Sequence, residues 1–335
     1  MSPFTEDELT GALRTLLSDD VPGLRLGPGD DAALVDFDSA LEILTADLLI
    51  EGVHFKRATS SPRDLGYKSL TVNVSDVAAM GGRPRYALVS LGIPGDVEMP
   101  WIVELYGGLR EAAARYGMAI VGGDLSRSEE IIISVAVTGE VGRNRAVTRS
   151  GARPGDRVVV TGALGAAAAG LRLAETNRRE VAESLGATWG RSLLEAYARP
   201  VARVDEAETL AAAGATAMMD LSDGLAKDLD RLCRESEVGA RIDLSAIPVA
   251  EALKEAETVL GVDGLELALG GGEDYELLAT LAPAAVHRVA GRVEERFGTR
   301  LTDIGGIVEG SGVTTVEVDG TERRLEPKGW DHFGR

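Results

Sequence analysis

Apolar and polar positions along the chain fall into two rhythms. Alternation or short apolar runs predict strands over Leu41–Asp47 (LEILTAD), Tyr86–Ile93 and Ile131–Val141, then in DRVVVTG ending at Gly162 and YELLATL beginning at Tyr275. Near the end, VTTVEV and TERRLE flank Asp319-Gly320, a dipeptide that predicts a hairpin. Spacings of three and four residues predict helices over Glu6–Leu17, from Pro100 to Gly117, in AAAAGLRLAE, up to about Tyr197, around 203–213, after MMDLSDGL and over Ala284–Phe297.

One helix differs from the rest. Ser61-Pro62-Arg63-Asp64 supplies an N-cap serine, a proline at the first helical position and an acid at the third. The helix then runs through LGYKSLTVNVSDVAAM to Gly81-Gly82 and is apolar on nearly every side. The exception is a polar strip at Ser69, Asn73 and Asp76. A helix of this kind is expected to be buried, so its carboxylate needs a partner.

The order of elements predicts an α+β (mixed α/β) fold rather than a strict βαβ repeat. RSGARPGD, residues 149–156, reads as a hinge and divides the chain into domains 1–148 and 149–335. The length of 335 residues suits two domains of ordinary size. The segment Thr176–Trp189 carries no motif that places it.

Carboxylates recur beside tight turns: Asp30 and Asp31 in GPGDD, Asp47, Asp76, Asp124 in GGD, Asp220 and Asp223 in DLSD, and Glu273 with Asp274 in GGGED. Glycine lets the backbone approach a ligand closely, and carboxylates beside it supply hard oxygen ligands for Mg²⁺ or Ca²⁺. The formal net charge of -19 argues against nucleic-acid binding. Phosphorylated small molecules remain admissible if bound cations reverse the local field. The single cysteine, Cys233, excludes a disulfide framework and multi-cysteine metal sites. The opening MSPFTEDELT lacks the marks of a secretory signal, and no apolar stretch approaches the roughly 20 residues of a membrane span, so a cytoplasmic location is expected.

Several chemistries are absent as motifs. The chain has no P-loop, no kinase-type catalytic loop, no H-E-x-x-H and no G-x-S-x-G. Gly162 and Gly165 follow a strand without the spacing of a dinucleotide fingerprint. What remains is an acidic site that becomes a polyphosphate clamp once several Mg²⁺ ions are bound. If the acceptor is itself a phosphate, it is already deprotonated, and no general base is required.

The motifs GPGDDAA, LTADLLIEGVHF, NVSDVAAMGG, VGGDLSR, RSGARPGD, MDLSDGL, GGGEDYELL and GWDHF occur in order over nearly the whole chain. The set resembles the thiamine-monophosphate kinases of the aminoimidazole-ribonucleotide-synthetase-like superfamily. The resemblance implies ATP-dependent phosphorylation of thiamine monophosphate to thiamine diphosphate, with Mg²⁺ as cofactor and ATP as co-substrate. It implies metal-binding positions at Asp30, Thr45, Ala46 (through its backbone), Asp47, Asp76, Asp124, Asp220 and Asp223. ATP contacts fall on Tyr106, Gly123, Arg149 and Ser222, and substrate contacts on His54, Glu273 and Trp330. It further implies a two-domain fold, a homodimer whose N-terminal sheets form a barrel-like centre, and active sites between the domains. Two other readings are an ATP-driven relative such as a selenophosphate synthetase, disfavoured because Cys233 lies far from the N-terminal glycine turn, and a binding module without turnover.

Overall fold

A computed structural model describes residues 24–26, 30–37, 40–176 and 187–331. The expected helix over Glu6–Leu17, the glycines of GPGDD, most of Thr176–Trp189 and the His332-Phe333 end of GWDHF lie outside the described residues.

The first sheet is built from β1 (Leu24–Leu26), β2 (Ala33–Phe37), β3 (Ala40–Ile50), β4 (Arg83–Ile93), β5 (Ala119–Arg127) and β6 (Ile132–Gly142). Its order is β1-β2-β3-β6-β4-β5, an open sheet of described strands with β1 and β5 at the edges. Helices α1 (Pro62–Ala79) and α2 (Met99–Tyr116) cover one face. α1 starts where the sequence predicts: Ser61 Oγ accepts the Asp64 backbone N–H at 3.1 Å, with proline in the first turn. It then buries nearly its whole circumference. The two helices touch through glycines. A Cβ on Gly66 would lie 1.9 Å from the Leu105 carbonyl oxygen, and one on Gly108 would lie 1.7 Å from that of Arg63.

Among the described residues, no helix covers the opposite face of the sheet. Strand register aligns Leu44 with Thr138 and Tyr86, Ala46 with Ala136 and Leu88, and Leu48 with Ser134 and Ser90. Leu44, Leu48, Tyr86 and Leu88 are all exposed on this face.

The second sheet runs β13-β12-β9-β11-β7-β10-β8. Its strands are β7 (Arg157–Thr161), β8 (Ala217–Asp220), β9 (Gly239–Asp243), β10 (Leu277–Leu281), β11 (Leu301–Val308), β12 (Gly312–Val316) and β13 (Glu322–Leu325). The helices are α3 (Ala166–Glu175), α4 (Ala187–Ala198), α5 (Val204–Ala212), α6 (Leu225–Glu235), α7 (Glu251–Leu260), α8 (Gly264–Gly270) and α9 (Pro283–Phe297). β7 is buried on both sides, which explains the unbroken apolar run at its centre. Val159 faces the core shared with α1, whereas Val158 and Val160 face the core under α6. β12 and β13 form the hairpin predicted around Asp319-Gly320.

One expectation needs correction. The sequence places Asp124 beside a tight turn, with the apolar run MAIV (Met118–Val121) expected to break at Gly122-Gly123-Asp124, but the run does not break there. β5 continues through them to Arg127, parallel to β4. A Cβ at Gly123 would lie 1.7 Å from the Val89 carbonyl oxygen, so the missing side chain lets the edge strand close onto β4. No helix among the described residues is long and apolar enough to cross a membrane.

Candidate active site

Three elements converge where α1, packed on β3 and β6 of the first sheet, also meets β8 of the second. α1 carries Asp76, β8 ends in Asp220, and the turn before β2 carries Asp30 and Asp31. Carboxylate oxygens of Asp31, Asp76 and Asp220 lie within 4.8 Å of one another. β3 closes the group. Thr45 Oγ1 donates to Asp76 Oδ2 at 2.7 Å, and the Asp47 backbone N–H donates to Asn73 Oδ1 at 3.0 Å. The polar strip of α1 thus faces the inner side of β3, and Asn73 Nδ2 in turn donates to the Ser69 carbonyl at 3.0 Å.

The electrostatics are dominated by burial of like charges. Desolvation raises the Asp76 carboxyl well above its ordinary value, with further push from Asp47, Asp220 and Asp31. Asp220 is raised in the same way by burial and then by Asp31. Burial lifts Asp47 to about 6, and burial with the Asp31 charge lifts Asp30 to about 7. Arg149 is the counterweight. Its Nη2 donates to Asp31 Oδ1 at 2.7 Å and its Nε to Asp31 Oδ2 at 3.0 Å, while its backbone N–H donates to Asp30 Oδ2 at 3.0 Å.

One guanidinium cannot neutralise this many acids. The buried Ser75 hydroxyl on α1 lies beside Asp220 and partly offsets the rise of its carboxyl. Convergent hard oxygens and excess negative charge fit a divalent cation of the Mg²⁺ type.

A second group lies on the DLSDG loop. Asp223 Oδ2 is 2.6 Å from Arg231 Nη1 and 3.1 Å from Lys227 Nζ, so its charge is already balanced and it stands apart from the three-aspartate group. Asp228 Oδ2 shapes the loop by accepting the N–H groups of Asp223 and Gly224 at 3.0 and 3.1 Å. The tail docks here too. The Trp330 N–H donates to the Asp223 carbonyl at 3.1 Å, and Lys227 Nζ donates to the Trp330 carbonyl.

His54 and Trp330 line one cleft of about 1280 Å³, together with Lys56, Arg172, Tyr197 and Lys328. His54 Nδ1 accepts the Ile50 N–H at 3.0 Å, which fixes the ring at the end of β3. Glu273 sits with φ of 61°, its N–H donating to the Ser222 carbonyl at 2.8 Å and its side chain 2.6 Å from Lys68 Nζ.

The remaining sequence-derived positions are not drawn into the cluster. Tyr106 on α2 packs against the core of the first sheet. Gly123 and Asp124 lie on the edge strand β5, where Asp124 is in register with Ser90 and so points to the bare face, opposite Asp47. Ala46 shares that outer face through its side chain. The sequence singles out Asp30 and Asp31 together, but the resemblance carries only Asp30 to a metal position, and it is Asp31 that joins the three-aspartate group. Reasoning from sequence passed over Ser75, Asp228 and Lys68. For Lys68 a signal existed: a lysine on a helix that is buried almost all round.

The AIR synthase related protein N-terminal domain matches residues 29–141, and the corresponding C-terminal domain matches residues 153–317. The protein is therefore a two-domain mixed α/β member of the AIR synthase related class. It is 40% identical to the thiamine-monophosphate kinase of Aquifex aeolicus (strain VF5) over 307 residues, covering 91% of this chain and 92% of the relative. Identity to the thiamine-monophosphate kinase of Bacillus subtilis (strain 168) is 37% over 313 residues, 92% of this chain and 93% of the relative. Among solved structures, AaThiL complexed with AMPPCP and TMP superposes with a TM-score of 0.83 at 38% identity, covering 98% of this chain and 97% of that one. The chain belongs to the thiamine-monophosphate kinase family.

Proposed function

We propose that the protein transfers the γ-phosphoryl group of ATP directly to thiamine monophosphate, giving thiamine diphosphate and ADP. The observation that carries this reading is the convergence of Asp31, Asp76 and Asp220 beside Asp47, with Arg149 as the cation gripping the group. Family membership supports the pair of substrates.

Asp31, Asp76 and Asp220, with Asp30, Thr45, Asp47 and the Ala46 backbone beside them, would hold several Mg²⁺ ions, and Asp124 and Asp223, which lie apart from that group in the single chain, would add further ligands. When bound, these ions supply charge neutralisation for polyphosphate and for the transferring phosphoryl group. Arg149 keeps Asp31 oriented, and Thr45 keeps one Asp76 oxygen aimed. Gly123 and Ser222 would offer backbone contacts to ATP, with Tyr106 and Arg149 as side-chain contacts. His54, Glu273 and Trp330 would receive thiamine monophosphate, with Trp330 stacking on a cationic ring. The acceptor phosphate is already an anion, so no side chain is assigned as a general base. Catalysis is then orientation and charge balance.

We also assign residues 1–148 to an ATP- and metal-binding domain and 149–335 to a domain carrying substrate loops. A second copy of the chain would cover the bare face of the first sheet and complete a barrel-like centre. That arrangement is supported by the exposed Leu44, Leu48, Tyr86 and Leu88. Because Asp124 points to the same face, it would reach a phosphate-binding site only with the partner in place.

Purified protein with ATP, Mg²⁺ and thiamine monophosphate should yield thiamine diphosphate and ADP in equal amounts. Absence of thiamine diphosphate defeats the proposal. ATP made chiral at the γ-phosphorus should give inverted product, and retention would replace direct transfer with a phospho-enzyme.

A further inference from the structure

Lys68 is the one lysine that α1 carries, and only 6% of it is exposed. A buried ammonium persists where it is paired. Here Nζ lies 2.6 Å from Glu273 Oε1 and 4.2 Å from the centroid of the Tyr197 ring. The two partners come from the loop before β10 and from α4, so one side chain of the first sheet's helix ties two segments of the second unit together. Glu273 is unusual in its own right. Its φ of 61° is a left-handed value uncommon for a residue with a side chain, and such a value is kept when the surroundings over-determine it. The surroundings do so at both ends, with the Ser222 carbonyl on the main chain and Lys68 on the carboxylate. Tyr197, under the ammonium, is itself a wall of the cleft that contains His54 and Trp330.

We propose that Lys68 is a positioning residue for binding of thiamine monophosphate. It fixes Glu273 Oε1 and the Tyr197 ring so that the other carboxylate oxygen is left to meet the amino group of the substrate's pyrimidine. The inference deepens the reading of Glu273 as a substrate contact and rests on it. Lys68 is remote in role from the aspartate cluster: it acts on the organic half of the acceptor, leaving ATP binding and the phosphoryl step to other residues.

The test is steady-state kinetics on Lys68→Met, Lys68→Arg, Glu273→Gln and the double variant Lys68→Met/Glu273→Gln. Lys68→Met should raise KM for thiamine monophosphate by about 10- to 100-fold, the range expected for losing one charged hydrogen bond. KM for ATP and kcat should stay within about threefold of wild type. Lys68→Arg, which retains the charge, should recover part of the loss. The double variant removes both charges of the buried pair, so it remains a usable protein even if Lys68→Met fails to fold. Its KM for thiamine monophosphate should equal that of Glu273→Gln alone. A double variant weakened by the product of two independent effects overturns the positioning role, as does a Lys68→Met enzyme with unchanged KM and only a lower melting temperature. If Glu273→Gln itself leaves KM for thiamine monophosphate unchanged, the reading of Glu273 fails and takes this inference with it. A Glu273→Gln effect without a Lys68→Met effect sinks the inference alone.

Discussion

Arg149 meets Asp31 as a fork, with Nη2 2.7 Å from one carboxylate oxygen and Nε 3.0 Å from the other. The carboxylate is fully buried and the guanidinium nearly so, at 0% and 19% side-chain exposure. The relationship joins the turn before β2 to the segment that links the two sheets. It therefore orients the acidic cluster and the connection between units at once.

Arg149→Met should cost about 3 kcal/mol in urea unfolding, the range for leaving one member of a buried ion pair uncompensated. Arg149→Lys should recover only part of that loss, because an ammonium cannot reproduce the planar two-point contact. Equal stability of the methionine variant and wild type in chelator would show that the fork holds nothing in place.

The cluster also sets a pH dependence. Burial raises Asp47 to about 6 and Asp30 to about 7 from an ordinary 3.8, and raises Asp76 and Asp220 well above it. The folded chain therefore keeps protons that the unfolded chain has released. That contribution is fully present below about pH 4 and is lost as pH rises through 6 and 7. In chelator, Asp76→Asn should melt higher than wild type at pH 8, with the gap closing toward pH 5. Millimolar Mg²⁺ should raise the wild-type melting temperature at pH 8 and move the variant less. A gap that does not change with pH removes this account of the cluster.

Much of the scaffold was legible because the signals were local. Ser61-Pro62 starts α1 by side-chain capping, and Asp319-Gly320 turns β12 into β13. The identity of the clustered acids was only partly legible. Nothing in GPGDD distinguishes Asp30 from Asp31, since turn geometry decides which carboxylate enters the cluster and which accepts the Arg149 N–H. Nor could the sequence show that Asp223 is already balanced, because its partner Arg231 follows eight residues later on α6. β5 was misread for a physical reason. A glycine pair usually ends an element, yet Gly123 continues one because a neighbouring carbonyl occupies the space of a Cβ.

That reading of Gly123 is itself testable. Gly123→Ala places a methyl group 1.7 Å from the Val89 carbonyl oxygen, so β5 must lift from β4 or twist. Forced overpacking of this kind costs about 1–3 kcal/mol. Asp124, the next residue, should move with the strand. Urea unfolding should show the loss, and KM for ATP should rise more than KM for thiamine monophosphate. An alanine variant as stable and as active as wild type would mean that the strand has room.

The bare face of the first sheet yields the last expectation. Leu88 is 50% exposed in a row that runs Ala46, Ala136, Leu88 and Gly122 across the sheet, and Leu44, Leu48 and Tyr86 share its face. Leu88→Asp should leave circular dichroism unchanged, because the single chain does not bury that position. If a second copy covers this face, sedimentation should report a dimer for wild type and a monomer for the variant. Activity then separates two arrangements of the site. Asp124 shares the face by its register with Ser90, so a site completed across the dimer should lose turnover when the copies part. A monomeric variant with full activity per chain would place every required carboxylate within one chain and remove Asp124 from the transfer site.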